Sequence, residues 1–400
     1  MLKIAKKITT DILVIGGGGA ACTASIAAAR NGASVALVCK GKTGNSGNTI
    51  MIGGSYGMDG ESAANDYHIP GADPSFTRED MFRSIVNDGF NLSDQRLVQQ
   101  FVDDSPSIVY EVKQWGEELG ERFGFYPPGN WDVTGRSFGR SLMNGIKKTD
   151  NITIYNDVAI TDLLKCGDKV TGALGLDLYN GCLIEFEAKA TILGTGGFQP
   201  YTLKSTNTDS TGDGQAMAYR AGAKLADMEF ILFMVTAIEP REYFGSILPA
   251  LCTFRSAFDY DAVDCEGKRI EVPEKVKEME SVSEMCKVLD MYYYGKALNE
   301  GRGTEHGGFY FDFHRFSDEE IDRMFDAVMD HFEGFYPHGY YQLSTATISR
   351  NTAVSRLVSA ESTPLEVFTS MTVWKPHCRA FMQQVRLGAV HLAPTAWLMR

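Results

Sequence analysis

The stretch Asp11-Ile-Leu-Val-Ile-Gly-Gly-Gly-Gly-Ala-Ala21 carries the strongest structural signal in the chain. The run from Asp11 to Ile15 is typical of a short buried strand, and four glycines follow it. A helix of small residues is predicted from Ala20 to Arg30, and a second strand over residues 34–38. Strand, glycine turn, helix and strand in this order predict a βαβ unit.

Within this unit, Gly16, Gly18 and Ala21 have the spacing of a dinucleotide-binding turn. The first glycine permits a tight turn, the second lets a pyrophosphate approach the backbone, and the small third residue lets the helix pack on the strand. The helix N-terminus then supplies N–H donors and the positive end of a dipole. In this context we predict dinucleotide binding, and the alternative is a glycine-rich turn without a ligand.

Cys39 and Lys40 stand at the end of the second predicted strand. NAD-binding proteins of this type usually carry an acidic residue there, which bonds the ribose hydroxyls. This departure argues against a plain NAD site. The next residues, Gly41-Lys42-Thr43, look like a phosphate-binding loop, but Ala36 stands where the leading glycine must be. We therefore interpret them as an ordinary turn.

Composition narrows the class of protein. With 400 residues the chain exceeds one ordinary domain, and its formal net charge of −13 disfavours nucleic acid and anionic membranes as partners. The 8 cysteines include no CxxC and no Cys/His cluster at metal spacing, so neither zinc nor an iron–sulfur cluster is predicted. No signal peptide is recognised at the N-terminus, and glycines interrupt the apolar stretch after Asp11. We expect a cytoplasmic protein without a membrane span.

Periodicity assigns further elements along the chain. Helical spacing covers residues 79–90 and 95–118, and another helix follows Asp213. A capping box, Ser317 with Glu320, predicts one more helix start. Strands are predicted over 152–155, 158–165, 169–178, 182–188 and 190–194, with Asn180-Gly181 as a hairpin turn.

Three further blocks follow the glycine turn in a fixed order. They are Lys40-Gly-Lys-Thr-Gly-Asn-Ser-Gly-Asn-Thr-Ile-Met-Ile-Gly-Gly-Ser55, Thr191-Ile-Leu-Gly-Thr-Gly-Gly197, and Ser210-Thr-Gly-Asp-Gly-Gln-Ala-Met-Ala-Tyr-Arg-Ala-Gly-Ala223 with Met228-Glu-Phe230. Together the four blocks resemble the flavoprotein subunits of the succinate dehydrogenase/fumarate reductase family, which includes L-aspartate oxidase and the adenylylsulfate reductase alpha subunit. The resemblance covers about residues 8 to 315.

The resemblance implies an α/β fold, with a Rossmann-like FAD-binding domain and an inserted α+β capping domain. The FAD-binding domain would comprise residues 1–233 and 346–370, and the capping domain residues 234–345. FAD would be the cofactor. The residues implied to bind it are Gly16, Gly18 and Ala21 at the pyrophosphate, Cys39 and Lys40 at the adenosine ribose, Ser46, Gly47, Asn48, Thr49, Gly53 and Gly54 on the isoalloxazine side, Val158 and Ala159 at adenine, and also Gly19, Ala20, Gly196, Gly197 and Asp213.

The mode of flavin attachment follows from the same resemblance. The histidine that links flavin covalently in respiratory members falls at Asn48. An amide nitrogen cannot form that link, so we expect noncovalent FAD. A turn-forming role for Asn48 is compatible with this expectation.

The substrate half departs from fumarate reductases. Met234 stands in place of the histidine that binds a substrate carboxylate, and Ala250-Leu-Cys252 stands in place of Thr-Glu-Gly. Lys287 stands in place of the arginine that donates a proton in fumarate reductases, so Lys287 is the candidate catalytic residue. Lysine lacks the planar fork of arginine, and a solvated helix lysine is the favoured alternative. The resemblance therefore does not predict that this protein reduces fumarate.

Residues 371–400 show neither helical nor strand period, although the family requires its closing flavin segment there. Back-translation with a shift of two nucleotides permits the family's closing motifs. We therefore expect that the reading frame is lost near Met371 and that the chain stops early. A divergent C-terminus is the alternative.

These observations lead to three functional hypotheses. The first is an FAD-dependent oxidoreductase that transfers hydride between flavin N5 and a small, acidic substrate, with a separate electron-transfer protein as a partner. The second is a flavin-binding remnant without catalysis. The third is a plain NAD(P) dehydrogenase.

Overall fold

The computed structural model describes residues 3–51, 53–198, 209–228, 231–239, 261–271, 273–277, 300–303, 309–312, 317, 319, 357–367 and 397–399. The chain divides into two compact units. One unit comprises Met1–Pro200, Thr206–Ile231 and Glu366–Arg400, and the other comprises Tyr201–Ser205 and Leu232–Leu365. The domain boundaries derived from the sequence stay a prediction.

The first unit contains most of the described helices and strands. In chain order they are β1 (Ile4–Ile15), α1 (Gly19–Arg30), β2 (Val35–Cys39), a 3₁₀ turn (Asn48–Met51), β3 (Gly53–Gly57), α2 (Gly60–Asn65), α3 (Arg78–Asp88), α4 (Gln95–Glu117), β4 (Gly124–Tyr126), β5 (Asn130–Thr134), α5 (Gly135–Lys147), β6 (Ile152–Asn156), β7 (Val158–Cys166), β8 (Lys169–Asp177), β9 (Leu183–Leu193) and α6 (Asp213–Arg220). The remaining elements are β10 (Ile231–Glu239), β11 (Asp261–Val263), α7 (Glu274–Lys277), β12 (Phe309–Asp312), β13 (Leu357–Val367) and β14 (Trp397–Met399).

The main sheet places the predicted nucleotide-binding turn at one edge. Its strand order is β6-β2-β1-β9-β8-β7, and β14 also pairs with β9. β1 runs parallel to both β2 and β9, so that Ile15 lies beside Val38 and Leu193. The carboxyl ends of these three strands therefore meet at one edge, which is where open α/β sheets bind ligands.

Both faces of the sheet are covered, as its apolar strands require. Successive residues of β1 alternate between two hydrophobic clusters: Ile12 and Val14 lie in one, and Leu13 and Ile15 in the other. The first cluster includes the alanines of α1, and the second includes Met217 of α6. The predicted α/β class is therefore confirmed for this part of the chain.

A smaller antiparallel sheet, β3-β5-β4, adjoins the first cluster. Its strands carry Tyr56 and Trp131, each about 1% exposed. The Tyr56 ring meets Phe138 of α5 edge to face, with 5.5 Å between ring centroids. Such edge-to-face pairs add stabilisation beyond the buried area.

The second unit contains a sheet of its own, in the order β10-β13-β12-β11. β12 pairs antiparallel with both β11 and β13. Beside β11, the fully buried Asp264 accepts a hydrogen bond from Arg302 at 2.5 Å. This bond joins Arg302, between Gly301 and Gly303, to the turn after β11.

Most predicted elements of the first unit are present, with differences at their ends. The runs 182–188 and 190–194 form one continuous strand, β9, because β1 pairs with it on both sides of Lys189. The Asn180-Gly181 turn joins β8 to β9, with Gly181 at φ +64°. The capping box at Ser317 falls partly outside the described residues.

Most of the C-terminal tail, residues 368–396 included, also lies outside the described residues. The expected loss of frame near Met371 therefore stays a prediction. The exception is Trp397–Met399, where no strand period was found in the sequence. These residues form β14, which pairs antiparallel with β9.

Candidate cofactor site

A cavity opens at the carboxyl edge of the main sheet. Its empty space, including open solvent at the mouth, is about 1190 Å³. Six parts of the chain surround it: the turn after β1, the end of β2 with the loop to the 3₁₀ turn, α5, the start of β7, the turn after β9, and the start of α6 with the residues before it. The lining residues include Ile15–Gly19, Val38–Gly41, Ser46–Thr49, Phe138, Val158, Ile160, Gly194–Gly196, Asp209–Gly214 and Met217.

The glycine turn after β1 is packed so closely that side chains do not fit. Gly16 has φ +127°, and a Cβ there would lie 2.1 Å from the carbonyl oxygen of Gly194. A Cβ on Gly17 would lie 2.4 Å from the Cys39 sulfur. These glycines therefore let the ends of β1, β2 and β9 meet, which brings bare backbone to the cavity wall.

Ala21 performs the packing role that the sequence predicts for it. Its side chain is fully buried, and a Cβ on Gly194 would lie 2.8 Å from the Ala21 Cβ. Small residues at both positions let α1 approach the end of β9. Ala21 does not line the cavity, so its part in the site is to place the helix.

α1 begins at the cavity, and neither its N-cap nor its first turn supplies a side chain that balances the positive end of the helix dipole. Its N-cap is Gly18, which offers no side-chain cap, and its first turn carries no acidic residue. The Gly19 N–H donates to the Thr49 hydroxyl at 3.0 Å. Thr49 thus stands at the helix N-terminus, where the backbone dipole favours negative charge.

An ion pair joins the end of β2 to the start of α6. The Lys40 ammonium donates to Asp213 and to Thr211, each at 2.6 Å, and the Thr211 hydroxyl donates to Asp213 at 2.7 Å. Burial raises the pKa of the Asp213 carboxyl. The hydrogen bonds from Lys40 and Thr211 lower this pKa by more than burial raises it, so the pKa lies below its ordinary value. Asp213 is therefore ionised at neutral pH.

The loop Ser46–Thr49 crosses between α1 and the segment before α6. On one side Thr49 bonds to Gly19, and on the other the Gly47 N–H donates to Asp209 at 3.1 Å. Gly47 has φ +71°, a conformation that glycine adopts without strain. The loop is thereby held against the cavity at both ends.

The turn after Lys40 is fixed by contacts that leave no phosphate-binding role for its lysine. Lys42 forms an ion pair with Asp157. Both the Thr43 N–H and the Thr43 hydroxyl donate to Asn156, at 2.9 and 2.8 Å. These contacts support the interpretation of Gly41-Lys42-Thr43 as an ordinary turn.

Two thiols lie behind the glycine turn. Burial raises the pKa of the Cys39 thiol, an effect that Ser46 opposes by a hydrogen bond. Burial raises the pKa of the Cys22 thiol to about 12, with the nearby Cys39 adding to the shift. Both thiols are therefore protonated at neutral pH.

The structure brings together many of the residues predicted to bind the cofactor. Those that line the cavity are Gly16, Gly18, Gly19, Cys39, Lys40, Ser46, Gly47, Asn48, Thr49, Val158, Gly196 and Asp213. Those that do not are Ala20, Ala21, Gly53, Gly54, Ala159 and Gly197. Their assignment to particular parts of FAD stays a prediction.

Sequence reasoning missed some lining residues and named others that cannot be placed. Asp209, Thr211 and Gly194 were missed as contacts, although Thr211 and Gly194 stand inside the quoted blocks. Lys287 and residues 250–252 lie outside the described residues. Met234 lies on β10, and the structure does not describe its side chain.

The cavity fits an adenine dinucleotide such as FAD. A Cβ at Gly16, Gly17 or Gly18 would enter space now taken by backbone or by neighbouring side chains, so these glycines form a cradle of bare backbone. Beside it the N-terminus of α1, which has no acidic residue in its first turn, suits a diphosphate. The apolar Val158 and Ile160 line the same cavity and suit a flat base.

Metal sites and membrane spans are both absent from the described parts of the chain. These parts contain no group of three or more His, Cys, Asp or Glu side chains placed to hold a metal ion. None of their helices is long and apolar enough to cross a membrane.

Solved structures share this fold. The chain superimposes on Sdh1 of Mycobacterium smegmatis with a TM-score of 0.68 and 23% identity, over 92% of this chain and 61% of that one. An adenosine-5-phosphosulfate reductase gives a TM-score of 0.65 and 20% identity, over 90% of this chain and 59% of that one. At these identities the likeness establishes the fold.

Curated relatives match at higher identity. A fumarate reductase (CoM/CoB) polypeptide of Methanothermobacter marburgensis is 29% identical over 80% of this chain and 58% of its own length. An L-aspartate oxidase of Halobacterium salinarum is 30% identical over 59% of this chain and 47% of its own length. The chain thus spans a little over half the length of the first of these relatives.

A family model matches most of the chain. The model of the FAD binding domain covers residues 11–355, and this range includes the whole lining of the cavity. This match indicates FAD as the cofactor. By this match the chain belongs to the FAD binding domain family.

Proposed function

We propose that this protein is an FAD-dependent oxidoreductase of the fumarate reductase/succinate dehydrogenase flavoprotein type. The observation that carries the proposal is the cavity at the carboxyl edge of the sheet, where the glycine turn, the start of α1 and the Lys40–Asp213 pair meet. The family match over most of the chain supports it. When bound, FAD supplies the hydride chemistry.

The residues of the chain would bind and orient this cofactor. Gly16, Gly17 and Gly18 admit the diphosphate to the backbone, and α1 presents N–H donors to it. Asp213 presents a carboxylate at the ribose end, with Lys40 holding its position. The apolar walls at Val158 and Ile160 exclude water from the base.

The cofactor is tested by extraction. Protein purified from cells is denatured, and the released nucleotide is identified by its absorption spectrum and by chromatography against FAD, FMN and NAD. We expect FAD in about one copy per chain. Released NAD in place of flavin would favour the alternative of a plain dehydrogenase.

Catalysis is tested separately from binding. The bound flavin is mixed anaerobically with candidate small acids as donors, or reduced with dithionite and mixed with candidate acceptors. We expect at least one acid to bleach or restore the flavin absorption. A flavin that is reduced by dithionite, yet exchanges electrons with none of the acids, would support a binding remnant.

We further propose that the substrate is a small acid other than fumarate and that a separate electron-transfer protein is the partner. Met234, residues 250–252 and Lys287 replace the groups that bind fumarate carboxylates and donate the proton in fumarate reductases. Losing one hydrogen bond to a charged group costs about 1.5–3 kcal/mol, or roughly tenfold to a hundredfold. Fumarate turnover at the rate of an authentic fumarate reductase would contradict this.

A further inference from the structure

The turn between β8 and β9 contains a chemically reactive dipeptide. Asn180 is followed by Gly181, and both residues are exposed. In such a pair the glycine nitrogen can attack the carbonyl carbon of the asparagine side chain, because no Cβ hinders its approach. The bond to the side-chain nitrogen breaks, ammonia leaves with the proton of the glycine nitrogen, and a five-membered succinimide forms. Water then opens this ring to aspartate or isoaspartate.

One residue, Asp177, holds this turn together. Its Oδ1 accepts from the backbone N–H of Tyr179 at 3.0 Å and of Asn180 at 2.9 Å, and its Oδ2 accepts from the Asn180 side-chain amide at 2.8 Å. Its carbonyl oxygen accepts from the Gly181 N–H at 2.9 Å. The hydrogen bonds to the carboxylate, that of the Asn180 side chain above all, lower the pKa of Asp177. For the reaction, the Gly181 nitrogen has to leave only this residue.

The chain contains two other Asn-Gly pairs, and both belong to helices. Gly145, which follows Asn144, lies inside α5, where an added Cβ would be 2.6 Å from the Trp115 ring. Asn31 is the C-cap of α1, and its backbone N–H and its side-chain amide both donate to carbonyls of that helix. Attack at either asparagine requires part of a packed helix to open, so these two pairs serve as internal comparisons.

Deamidation would reverse one contact of the turn. The Asn180 amide nitrogen is a donor 2.8 Å from the Asp177 carboxylate. A carboxylate at residue 180 can only accept when it is ionised. Two carboxylates this close repel each other, so the side chains must separate or share a proton. The turn would thereby lose the contact that joins its two ends.

The turn also supports one wall of the cavity. The Leu178 N–H donates to the Asp157 carbonyl at 2.9 Å, and the Asp157 N–H donates to the Gly41 carbonyl at 3.1 Å. Gly41 and Val158, the residue after Asp157, both line the cavity. Opening of the turn would therefore loosen the backbone behind this wall.

We propose that Asn180 is a deamidation site, and that its conversion to aspartate or isoaspartate opens the β8–β9 turn and weakens the binding of FAD. The effect on binding rests on FAD as the cofactor. The reaction and the opening of the turn do not depend on the cofactor, so they are measured on protein from which flavin has been removed.

Peptide mapping tests the reaction. Folded wild-type protein is kept in warm, mildly alkaline buffer, and samples are digested and analysed by mass spectrometry for the mass gain that accompanies replacement of NH₂ by OH. We expect the product at Asn180 well before any at Asn31 or Asn144. Asn180→Gln should accumulate none, because its longer side chain disfavours the five-membered ring. Absence of product at Asn180, or equal rates at the three asparagines, would overturn the assignment.

Hydrogen exchange of Asn180→Asp tests the opening of the turn. We expect the backbone amides of residues 179 and 180 to exchange about tenfold faster than in wild type, as for the loss of one hydrogen bond. Adding Asp177→Asn places a donor opposite a carboxylate again and should slow the exchange. Unchanged exchange in Asn180→Asp, or no recovery in the double variant, would contradict repulsion as the cause.

Titration with FAD tests the effect on the cavity. Asn180→Asp should bind FAD severalfold more weakly than wild type, and Asn180→Gln, the neutral control, should bind it as wild type does. Equal affinity of all three proteins would show that the turn does not support the wall. Wild-type protein that binds no FAD would remove the cofactor assignment itself, and the exchange rates would still decide whether the turn opens.

Discussion

Lys40 and Asp213 are 173 positions apart in sequence, and 2.6 Å separates their ammonium nitrogen from the carboxylate oxygen. Lys40 stands at the place where a dinucleotide-binding turn usually carries an acidic residue. The structure supplies a carboxylate at this edge from α6. The acidic group is therefore present in the site although the local sequence lacks it.

This pair predicts a pH dependence. The pKa of the Asp213 carboxyl is lowered in the folded chain, since the hydrogen bonds from Lys40 and Thr211 outweigh its burial. A carboxyl whose pKa is lower in the folded than in the unfolded chain stabilises the fold at pH values above its unfolded pKa of about 4. This stabilisation is lost as the pH falls through the pKa of the folded chain. Both side chains are partly exposed, so solvent screening keeps the contribution below about 1 kcal/mol.

Lys40→Met should therefore lower the free energy of unfolding at pH 7 by up to that amount, and the deficit should close as the pH falls below about 4. Urea titrations of the wild type and of Lys40→Met, from pH 7 to acidic pH, measure this difference in the free energy of unfolding. Asp213→Asn in the Lys40→Met background should add no further pH dependence at this site. A deficit that is independent of pH would contradict the assignment.

Gly18→Ala should fold but bind FAD poorly. Its added Cβ meets only the end of the Thr49 side chain, at 2.8 Å, so the turn can relax while the cradle narrows. Gly89→Ala is the matched control: its Cβ would meet the Ser93 hydroxyl at 2.3 Å, far from the cavity lining, and both glycines have φ −86°. Equal flavin content in the two variants would contradict the proposal that bare backbone at Gly18 admits the FAD diphosphate.

Gly16→Ala should behave differently from Gly18→Ala, because its Cβ would lie 2.1 Å from backbone at Gly194 and its φ is +127°. Backbone atoms cannot rotate away from an added Cβ as the end of a side chain can. We expect a lower melting temperature in addition to lost flavin. Thermal melts of both flavin-free variants separate the two effects, and equal melting temperatures would show that the turn is looser than described.

Tyr56→Phe should stabilise the protein. The Tyr56 hydroxyl is buried and has no hydrogen-bond partner among the described residues. A buried unsatisfied hydroxyl costs about 1–3 kcal/mol, and phenylalanine keeps the ring without that cost. We expect the melting temperature to rise by about 2–4 °C. Tyr179→Phe, at a ring that is 76% exposed, is the control and should change little.

Flavin should leave the protein on acid denaturation, because Asn48 stands where respiratory relatives carry the linking histidine. After precipitation with acid the yellow colour should remain in the supernatant. Colour retained in the washed pellet would demonstrate a covalent link. The same assay on a covalently flavinylated protein provides the reference.

The sequence predicts the parts of this fold that depend on neighbouring residues. The buried run after Asp11, the small-residue helix and the Asn180-Gly181 turn all have local causes, and each is present. The contacts that build the cavity wall, such as Asp209 with Gly47 or Thr49 with Gly19, join residues brought together only by the sheet. No spacing along the chain predicts such contacts.

The length of β9 shows a second limit. Its hydrophobic pattern breaks at Lys189, which suggests two strands, whereas pairing with β1 continues on both sides of that residue. Partners in the sheet, and not the strand's own residues, decide where it ends. The same reason explains β14, whose residues show no strand period and whose register is set by β9.

The position of β1 in the sheet determines when the cofactor site can form during synthesis. β1 pairs with β9, so β1 has both of its neighbouring strands only after Leu193 has been made. The cavity needs α6 as well, which ends at Arg220. FAD can therefore bind only after residues up to Arg220 have been made, and until then the unpaired edge of β1 is prone to aggregation.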